Sequence, residues 1–328
     1  MKLLRLAPEN TKFGFMRFRR VSYPFSATLS IISVVLFLSL GMNFGIDFAG
    51  GTLMELRAKS GAADIADLRT TVRQLGIGEV EVQGFGAASD VLLRFGVQQG
   101  GATTQEATVA RVKKALENRY DFRRVDVVGP RVSGELVQSG TLGVVLAIIA
   151  VLAYLWFRFE WQFAVGAIIA TMHDLLLTVG FFSLTRLEFN TTSIAAILTI
   201  VGYSLNETVV VLDRIREMRH KYRRMPTDQL IDMSINAVLP RTIMTATTVF
   251  LALLSLVIFG GEVIRSFSIA MIWGIFVATY SSIFICSPML IYLGLRNEAA
   301  DAPQAPAVKP TKTQAKKSVT GAAARNRA

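Results

Sequence analysis

Cysteine and histidine are almost missing from this chain of 328 residues, which contains one cysteine and two histidines. The single cysteine, Cys286, excludes a disulfide within the chain, so each domain must be held together by its own packing. We interpret Cys286 as a small core residue, because it lies inside an apolar block. Residues 43–139 contain neither residue type. We therefore expect no metal site, no cofactor and no enzymatic chemistry.

Acidic residues are also scarce, with 24 Asp and Glu against 35 Lys and Arg and a net charge of +11. The segments 185–190 and 260–265 hold one arginine each, whereas a run of basic residues begins after position 213. Basic loops stay on the cytoplasmic side of a membrane, which predicts a cytoplasmic loop near 213–240 and two cytoplasmic termini. The positive charge is then explained by topology and by contact with anionic lipids, and nucleic acid is not expected as a partner.

Long apolar runs are what the sequence does contain, since 52% of its residues are hydrophobic. A membrane-spanning helix needs about 20 mostly apolar residues, and six blocks qualify. The first follows a basic segment, residues 1–23, and no small-residue cleavage site comes after it, so we expect an uncleaved anchor. Residues 296–328 are rich in Ala, Pro, Lys and Gln and predict a disordered, basic cytoplasmic tail. The predicted spans lie near residues 24–42, 140–158, 162–184, 191–212, 242–260 and 264–294.

The segment 43–139, between the first two spans, has the pattern of a folded α+β domain. Its 12 basic residues balance its 12 acidic residues, and it is long enough to cross the membrane regardless of charge. Alternating strands and helices with one apolar face predict the order strand, helix, strand, strand, helix, strand, which is the ferredoxin-like arrangement. The predicted elements are strands at 52–56, 80–82, 91–95 and 124–128 and helices at 64–75, with Asp64 as the cap, and 104–120.

Charged and polar residues inside the predicted spans are the candidates for function. A carboxylate within a spanning helix is costly unless it has a partner or faces water, so Glu207 in the fourth span indicates an ion or proton path. Arg241 begins the fifth span at a similar depth. A guanidinium that approaches or leaves a buried carboxylate would release or capture a proton. His173 and Asp174 in the third span and Asn206 beside Glu207 complete the predicted proton pathway.

Structural explanations of the same residues remain open. Arg241 could be an interfacial anchor, Glu207 could pair with Arg214 one or two turns below, and His173 could make a hydrogen bond between helices. Asp213 and Arg214 are interpreted as a cytoplasmic cap or hinge. The threonines that follow Arg241, at positions 242, 245, 247 and 248, are interpreted mainly as packing residues.

Five sequence blocks together resemble the SecF family of protein-export membrane subunits. The blocks are GIDFAGG at 45–51, VGPRVSGEL at 128–136, His173-Asp174, GYSLNETVVVLDRIRE at 202–217 and RTIMTATT at 241–248. They occur in the family's order over about residues 15–295. The resemblance implies a six-helix half bundle of the resistance-nodulation-division type with one ferredoxin-like periplasmic domain. It also implies a structural or hinge role for Gly45, Asp47, Gly50, Gly51, Gly129 and Pro130.

The resemblance further implies a location in the bacterial inner membrane and a role driven by the proton-motive force. The implied partners are SecD, the SecYEG channel, YajC, membrane lipids and the unfolded secreted polypeptide. The family's proton-conducting carboxylate, usually Asp, and its arginine fall on Glu207 and Arg241. Two other functions remain open, a proton-coupled exporter of small molecules or lipids and a purely structural subunit of a membrane complex.

Overall fold

The structure, a computed structural model, describes residues 11–295. The predicted tail 296–328 and the first ten residues lie outside the described residues. The elements follow one another in this order: α1 (Arg19–Leu40), β1 (Asn43–Phe44), α2 (Ile46–Ala49), β2 (Gly51–Ala58), α3 (Ile65–Arg73), β3 (Val80–Gly84), β4 (Asp90–Phe95), α4 (Ala102–Leu116), β5 (Tyr120–Val128), α5 (Pro130–Arg158), α6 (Trp161–Thr185), β6 (Glu188–Phe189), α7 (Thr191–Lys221), α8 (Thr227–Phe259), α9 (Glu262–Ser281), a π-helical turn (Ser282–Cys286) and α10 (Ser287–Tyr292).

The six predicted spans are confirmed, because six helices within residues 11–295 are long and apolar enough to cross a membrane. The α6 and α7 helices and the helix formed by α9, the π turn and α10 supply most of the buried surface of the bundle. In contrast, α1, α5 and α8 leave most of their surfaces exposed. The bundle therefore has a packed centre of three helices and three outer helices whose other sides no described part of the chain covers.

The prediction of a loop near 213–240 is wrong for most of that range. The α7 helix continues to Lys221 and α8 already begins at Thr227, so only residues 222–226 connect them. Both extensions are amphipathic, with Ile215 and Met218 buried on α7 and Leu230 buried on α8. Charged residues on α7 and polar or acidic residues on α8 separate these apolar positions, so neither extension forms a continuous apolar run.

The second span also begins earlier than predicted, at Pro130 instead of residue 140. Gly129 is the extended residue before the helix, and Pro130 takes its first turn, where a missing N–H has no cost and the fixed φ angle suits a helix. The α+β domain therefore ends at Val128, and α5 starts directly at the last strand.

The α+β domain, residues 51–128, has the predicted strand and helix order. Its antiparallel sheet has the spatial order β3-β4-β2-β5, which is the ferredoxin-like order. Asp64 caps α3 by accepting from the Asp67 N–H at 3.0 Å, as predicted. The predicted second helix is too long, because it ends at Leu116 and Tyr120 already begins β5. Inward-facing residues of both helices and the inner sheet face form one core, including Met54, Leu56, Leu68, Val72, Leu93, Val112 and Leu116.

Glycines make the sharp exit from α1 into this domain possible. Gly50 ends the single turn α2 with φ +72°, and Gly51 follows at φ +123°, angles that L-residues rarely adopt. A Cβ atom on Gly51 would lie 2.5 Å from the Phe95 carbonyl oxygen. The two glycines thus let β2 start beside β4 immediately after α2.

The opposite end of the bundle, its base, is tied together by the segment before α1. The Phe13 N–H donates to Asn236 Oδ1 at 3.0 Å, and Asn236 Nδ2 donates to the Phe13 carbonyl at 2.8 Å. One turn earlier on α8, Asp232 Oδ1 accepts from the Met16 N–H at 2.9 Å. A row of α8 side chains thereby holds the N-terminal segment across the base.

Candidate functional site

The buried carboxyl group of Glu207 lies at the contact between α7 and α8. Only 4% of Glu207 is exposed, and the Thr242 hydroxyl on α8 donates a hydrogen bond to Glu207 Oε1. Thr242 is itself 2% exposed. A buried carboxyl group needs such a donor because an unpaired one would carry the full desolvation penalty. The predicted functional carboxylate is thus inside the bundle and held by a hydroxyl.

Arg241 does not pair with Glu207 in this structure. Its side chain is exposed, and within residues 11–295 its guanidinium forms no ion pair or hydrogen bond. Successive residues on a helix point about 100° apart, so turning Thr242 toward α7 turns Arg241 away from it. Asn206 likewise lies on the exposed side of α7. The exchange of partners at Glu207 stays a prediction.

Glu207 also makes no pair with Arg214, the alternative left open above. Arg214 instead binds Glu217 at 2.6 Å. Its neighbour Asp213 accepts two hydrogen bonds from the Arg158 guanidinium, at 3.0 and 3.1 Å, and so ties the end of α5 to α7. This pair gives Asp213 a structural role at the base of the bundle.

A second buried carboxyl group, Asp174 on α6, joins three helices. Its Oδ2 atom accepts from Ser204 Oγ on α7 at 2.5 Å and from Ser281 Oγ on α9 at 2.7 Å. Its Oδ1 atom lies 3.1 Å from His173 Nδ1. Asp174 is 1% exposed. Short hydroxyl-to-carboxyl contacts of this kind are among the stronger hydrogen bonds in proteins.

The backbone beside this cluster is a π-helical turn, Ser282–Cys286. Pro288 lacks the N–H that would bind the carbonyl of Phe284, and its ring would clash with that carbonyl in a regular helix. The carbonyls freed near the turn are bound by α1, because Ser22 Oγ donates to Phe284 O at 3.1 Å and Tyr23 Oη donates to Ile285 O at 2.8 Å. Such single π turns often lie at functional sites.

The two carboxyl groups are neighbours through α7. Ser204, which binds Asp174, precedes Glu207 by three residues, and this spacing is about 5 Å along one face of the helix. A single turn of α7 therefore carries both Ser204, whose hydroxyl binds the carboxyl group of Asp174, and Glu207, the second buried carboxyl group. The arrangement is suited to two roles. A proton can be transferred between the buried oxygens, or α7 can move in response to a change in their charge.

Two of the predicted hinge residues, Gly45 and Asp47, lie at the other end of α7. Asp47 on α2 accepts from the Thr191 N–H, at the first residue of α7, at 2.9 Å. A Cβ atom on Gly45 would lie 2.4 Å from Glu188 Oε1. Gly45 therefore lets the chain that leaves α1 pass close to the turn between α6 and α7. There β1 and β6 pair in parallel, with Asn43 opposite Glu188.

Sequence reasoning did not include Ser204, Thr242 and Ser281 among the site residues. Thr242 belongs to a run of threonines, and the hydroxyls of Thr245 and Thr248 do bond to their own helix backbone as expected. The hydroxyls of Thr242 and Ser281 instead face buried carboxyl groups on neighbouring helices. No signal within the run itself distinguishes Thr242, whereas the proline at 288 does indicate irregular backbone close to Ser281.

Comparisons with known proteins identify relatives over most of the chain. A family model described as the C-terminal region of the protein export membrane proteins SecD/SecF matches residues 108–296, and a SecD/SecF GG motif model matches residues 35–62. The protein translocase subunit SecF of Rickettsia bellii is 45% identical over 88% of this chain and 95% of its own length. The SecDF subunit of Brucella abortus is 43% identical over 91% of this chain and 39% of its own length.

A solved structure shows the same fold. The crystal structure of SecDF from Thermus thermophilus, described as a translocon-associated membrane protein, matches with a TM-score of 0.78 and 33% identity, over 88% of this chain and 39% of that chain. The match covers nearly the whole length of the SecF relative and about two fifths of the SecDF chains.

Proposed function

The chain belongs to the SecD/SecF family of protein-export membrane proteins and is an accessory subunit of Sec-dependent export, and we propose that it works with SecD to convert the proton-motive force into late steps of polypeptide translocation through SecYEG. Glu207 is the residue that carries this proposal. It is a buried carboxyl group in a multi-pass membrane bundle, at the position where the family resemblance implies the proton-conducting carboxylate.

The hydrogen bond to Thr242 supports a role that goes beyond packing. A carboxyl group deep in a membrane bundle is costly, and in a purely structural helix contact an apolar side chain would serve better. Glu207 has one hydroxyl donor among the described residues, and the adjacent Arg241 is free to approach from α8. Movement of α8 relative to α7 would exchange the hydroxyl for the guanidinium and so change the proton affinity of the site.

The exposed side of α7 supports SecD as the partner. The residues Thr199, Gly202 and Asn206 lie exposed on α7 at helical spacing, and Arg241 is exposed on the neighbouring helix. Small and polar residues on a membrane helix are suited to close contact with another helix, not to lipid. In the SecDF relatives a single longer chain contains the segment that matches this one. We propose that the SecD membrane helices cover this face.

The orientation that best fits the charges has the α+β domain on the periplasmic side of the bacterial inner membrane and both termini in the cytoplasm. The base of the bundle holds the basic residues from Arg214 to Arg224, as the positive-inside rule requires of a cytoplasmic face. We propose further contacts with YajC, with anionic lipids and with the emerging unfolded polypeptide. The proposed work is mechanical, without a cofactor and without a covalent reaction.

Glu207→Gln tests the proposal most directly, because the amide keeps the size of the side chain and cannot exchange a proton. We expect the variant to assemble with SecD and to lose about 10-fold or more of the export that the proton-motive force stimulates. The measurement is export of a labelled preprotein into inverted membrane vesicles, with and without an ionophore. Arg241→Ala should be equally damaging, and Arg241→Lys should retain part of the activity.

The matched control is Glu217→Gln, which removes a carboxylate that is exposed on the same helix. It should export like the unmodified protein. If Glu207→Gln retained the full ionophore-sensitive export, the carboxyl group would have no part in proton coupling, and the chain would be a structural subunit of the export complex.

A further inference from the structure

The α+β domain stands above the membrane bundle with a hollow between them. A polar cavity of about 590 Å³ separates the outer sheet face from the turn between α6 and α7. Charges of both signs line it, among them Glu55, Arg124 and Asp126 from the sheet and Arg186 from the turn. Because this contact region is polar and not filled by apolar side chains, it is the type of domain interface that permits relative movement.

One ion pair crosses this hollow. Arg94 on β4 binds Glu188, the first residue of β6, through its Nη2 atom. The two side chains are only 16% and 22% exposed. Of the ion pairs formed among residues 11–295, it alone joins the α+β domain to the bundle. A half-buried charge pair depends on its geometry, since separation leaves each charge without its partner.

Arg94, however, has a second partner within its own domain. Its Nη1 atom lies 3.5 Å from Glu81 Oε2 on β3, and the Glu81 side chain is 57% exposed. If Glu188 moves away, the guanidinium can remain paired with Glu81. Opening the contact then leaves only Glu188 without its partner, and water in the cavity would hydrate this carboxylate.

The turn that holds Glu188 continues directly into α7. The Ser193 hydroxyl donates to the Glu188 carbonyl at 3.1 Å, and Asp47 binds the first N–H of the helix. Glu207 follows on the same uninterrupted helix, about 24 Å from Thr191 along its axis. A change at the turn is therefore transmitted to the proposed proton site through a rigid element.

We propose that Arg94 and Glu188 form a releasable latch that holds the exported domain against the top of α7 and opens and closes as Glu207 changes its partner. The two residues are positioning residues, and the inference rests on the function proposed above. A closed latch fixes the domain over the cavity. An open latch frees the domain to move relative to the bundle, while α2 at its start and the direct connection from β5 to α5 at its end keep it tethered.

Reversible cross-linking tests the latch in the complete export complex. Cys286 is fully buried, so cysteines introduced into this chain do not compete with its own thiol for the reagent. We expect the pair Arg94→Cys and Glu188→Cys, joined by a short bifunctional methanethiosulfonate, to export about 10-fold less than its reduced form, because a fixed latch removes one of the two conformations. A reductant should restore export. Arg57→Cys with Asp90→Cys is the control, since that ion pair lies within the domain, and its cross-link should leave export unchanged.

A distance measurement keeps the test independent of export. Spin labels at Lys113 on α4 and Thr185 at the end of α6 report the separation of the domain from the bundle. Arg94→Gln and Glu188→Gln should each add a population at longer distance, Arg57→Gln should not, and Glu207→Gln should shift the balance between the two populations.

The possible outcomes separate the latch from the proposed function. Unchanged distances in Arg94→Gln and Glu188→Gln, or full export by the cross-linked latch pair, would overturn the latch. A latch that opens in those variants but does not respond to Glu207→Gln would refute its coupling to the proton site. Full ionophore-sensitive export by Glu207→Gln would instead refute the proposed function.

Discussion

Replacing Thr242 by valine tests whether a single hydroxyl controls the buried carboxyl group. Valine has nearly the same shape but cannot donate, and Glu207 Oε1 accepts from Thr242 inside the bundle. A buried polar group that loses its partner costs about 1–3 kcal/mol. Since 1.4 kcal/mol is a factor of ten, the conformation that contains this contact would lose population by about 5- to 150-fold. Thr242→Ser, which retains the donor, should be close to the unmodified protein.

Export measured under a fixed proton gradient detects this change, because a cycle that must visit both conformations slows when one of them is depleted. The expected result is a loss of ionophore-sensitive export in Thr242→Val that lies within the calculated range. Thr248→Val is the matched control, since that hydroxyl donates only to the Met244 carbonyl of its own helix. Equal export by Thr242→Val and Thr248→Val would refute the reasoning, provided that both proteins assemble in equal amounts.

Two further predictions concern other parts of the chain. Ser281→Ala should lower the unfolding free energy in detergent by about 1–3 kcal/mol, because a hydrogen bond to a buried carboxyl group is lost. An unchanged unfolding free energy would show that this contact does not stabilise the fold. Asn236→Ala should release the segment before α1, seen as faster proteolysis near the N-terminus, and an unchanged cleavage rate would show that other contacts hold that segment.

The membrane architecture could be predicted from the sequence because its physical cause is local. A bilayer requires about 20 apolar residues for each span, and that requirement makes six blocks visible without any tertiary information. The ferredoxin-like order could be predicted for a similar reason, since the periods of strands and helices differ. The ends of α7 and α8 could not be found in this way. Their extensions beyond the membrane are amphipathic, and polar or charged residues interrupt the apolar positions of both helices.

The site itself depends on which side of a helix faces which neighbour. Arg241 and Thr242 are adjacent, and sequence reasoning chose the arginine because opposite charges attract. The structure turns the threonine toward Glu207 instead. A difference of about 100° in direction separates the two residues, and the direction is set by packing along the whole of α8. Likewise, only the fold brings Ser281 to Asp174, from which it is separated by 107 positions in the sequence.

The α7 helix is the element that connects these features. Its first turn is bound by Asp47 and lies beside Glu188, its middle contacts Asp174 through Ser204, and Glu207 follows one turn later. Side chains that contact it at separate heights cannot rearrange independently, because a regular helix transmits a shift or rotation along its length. A change in the charge of one buried carboxyl group would therefore alter the contacts at the top of the helix. In this arrangement no chain of protons has to reach the exported domain, since the movement of α7 alone can carry the energy from the membrane to the latch.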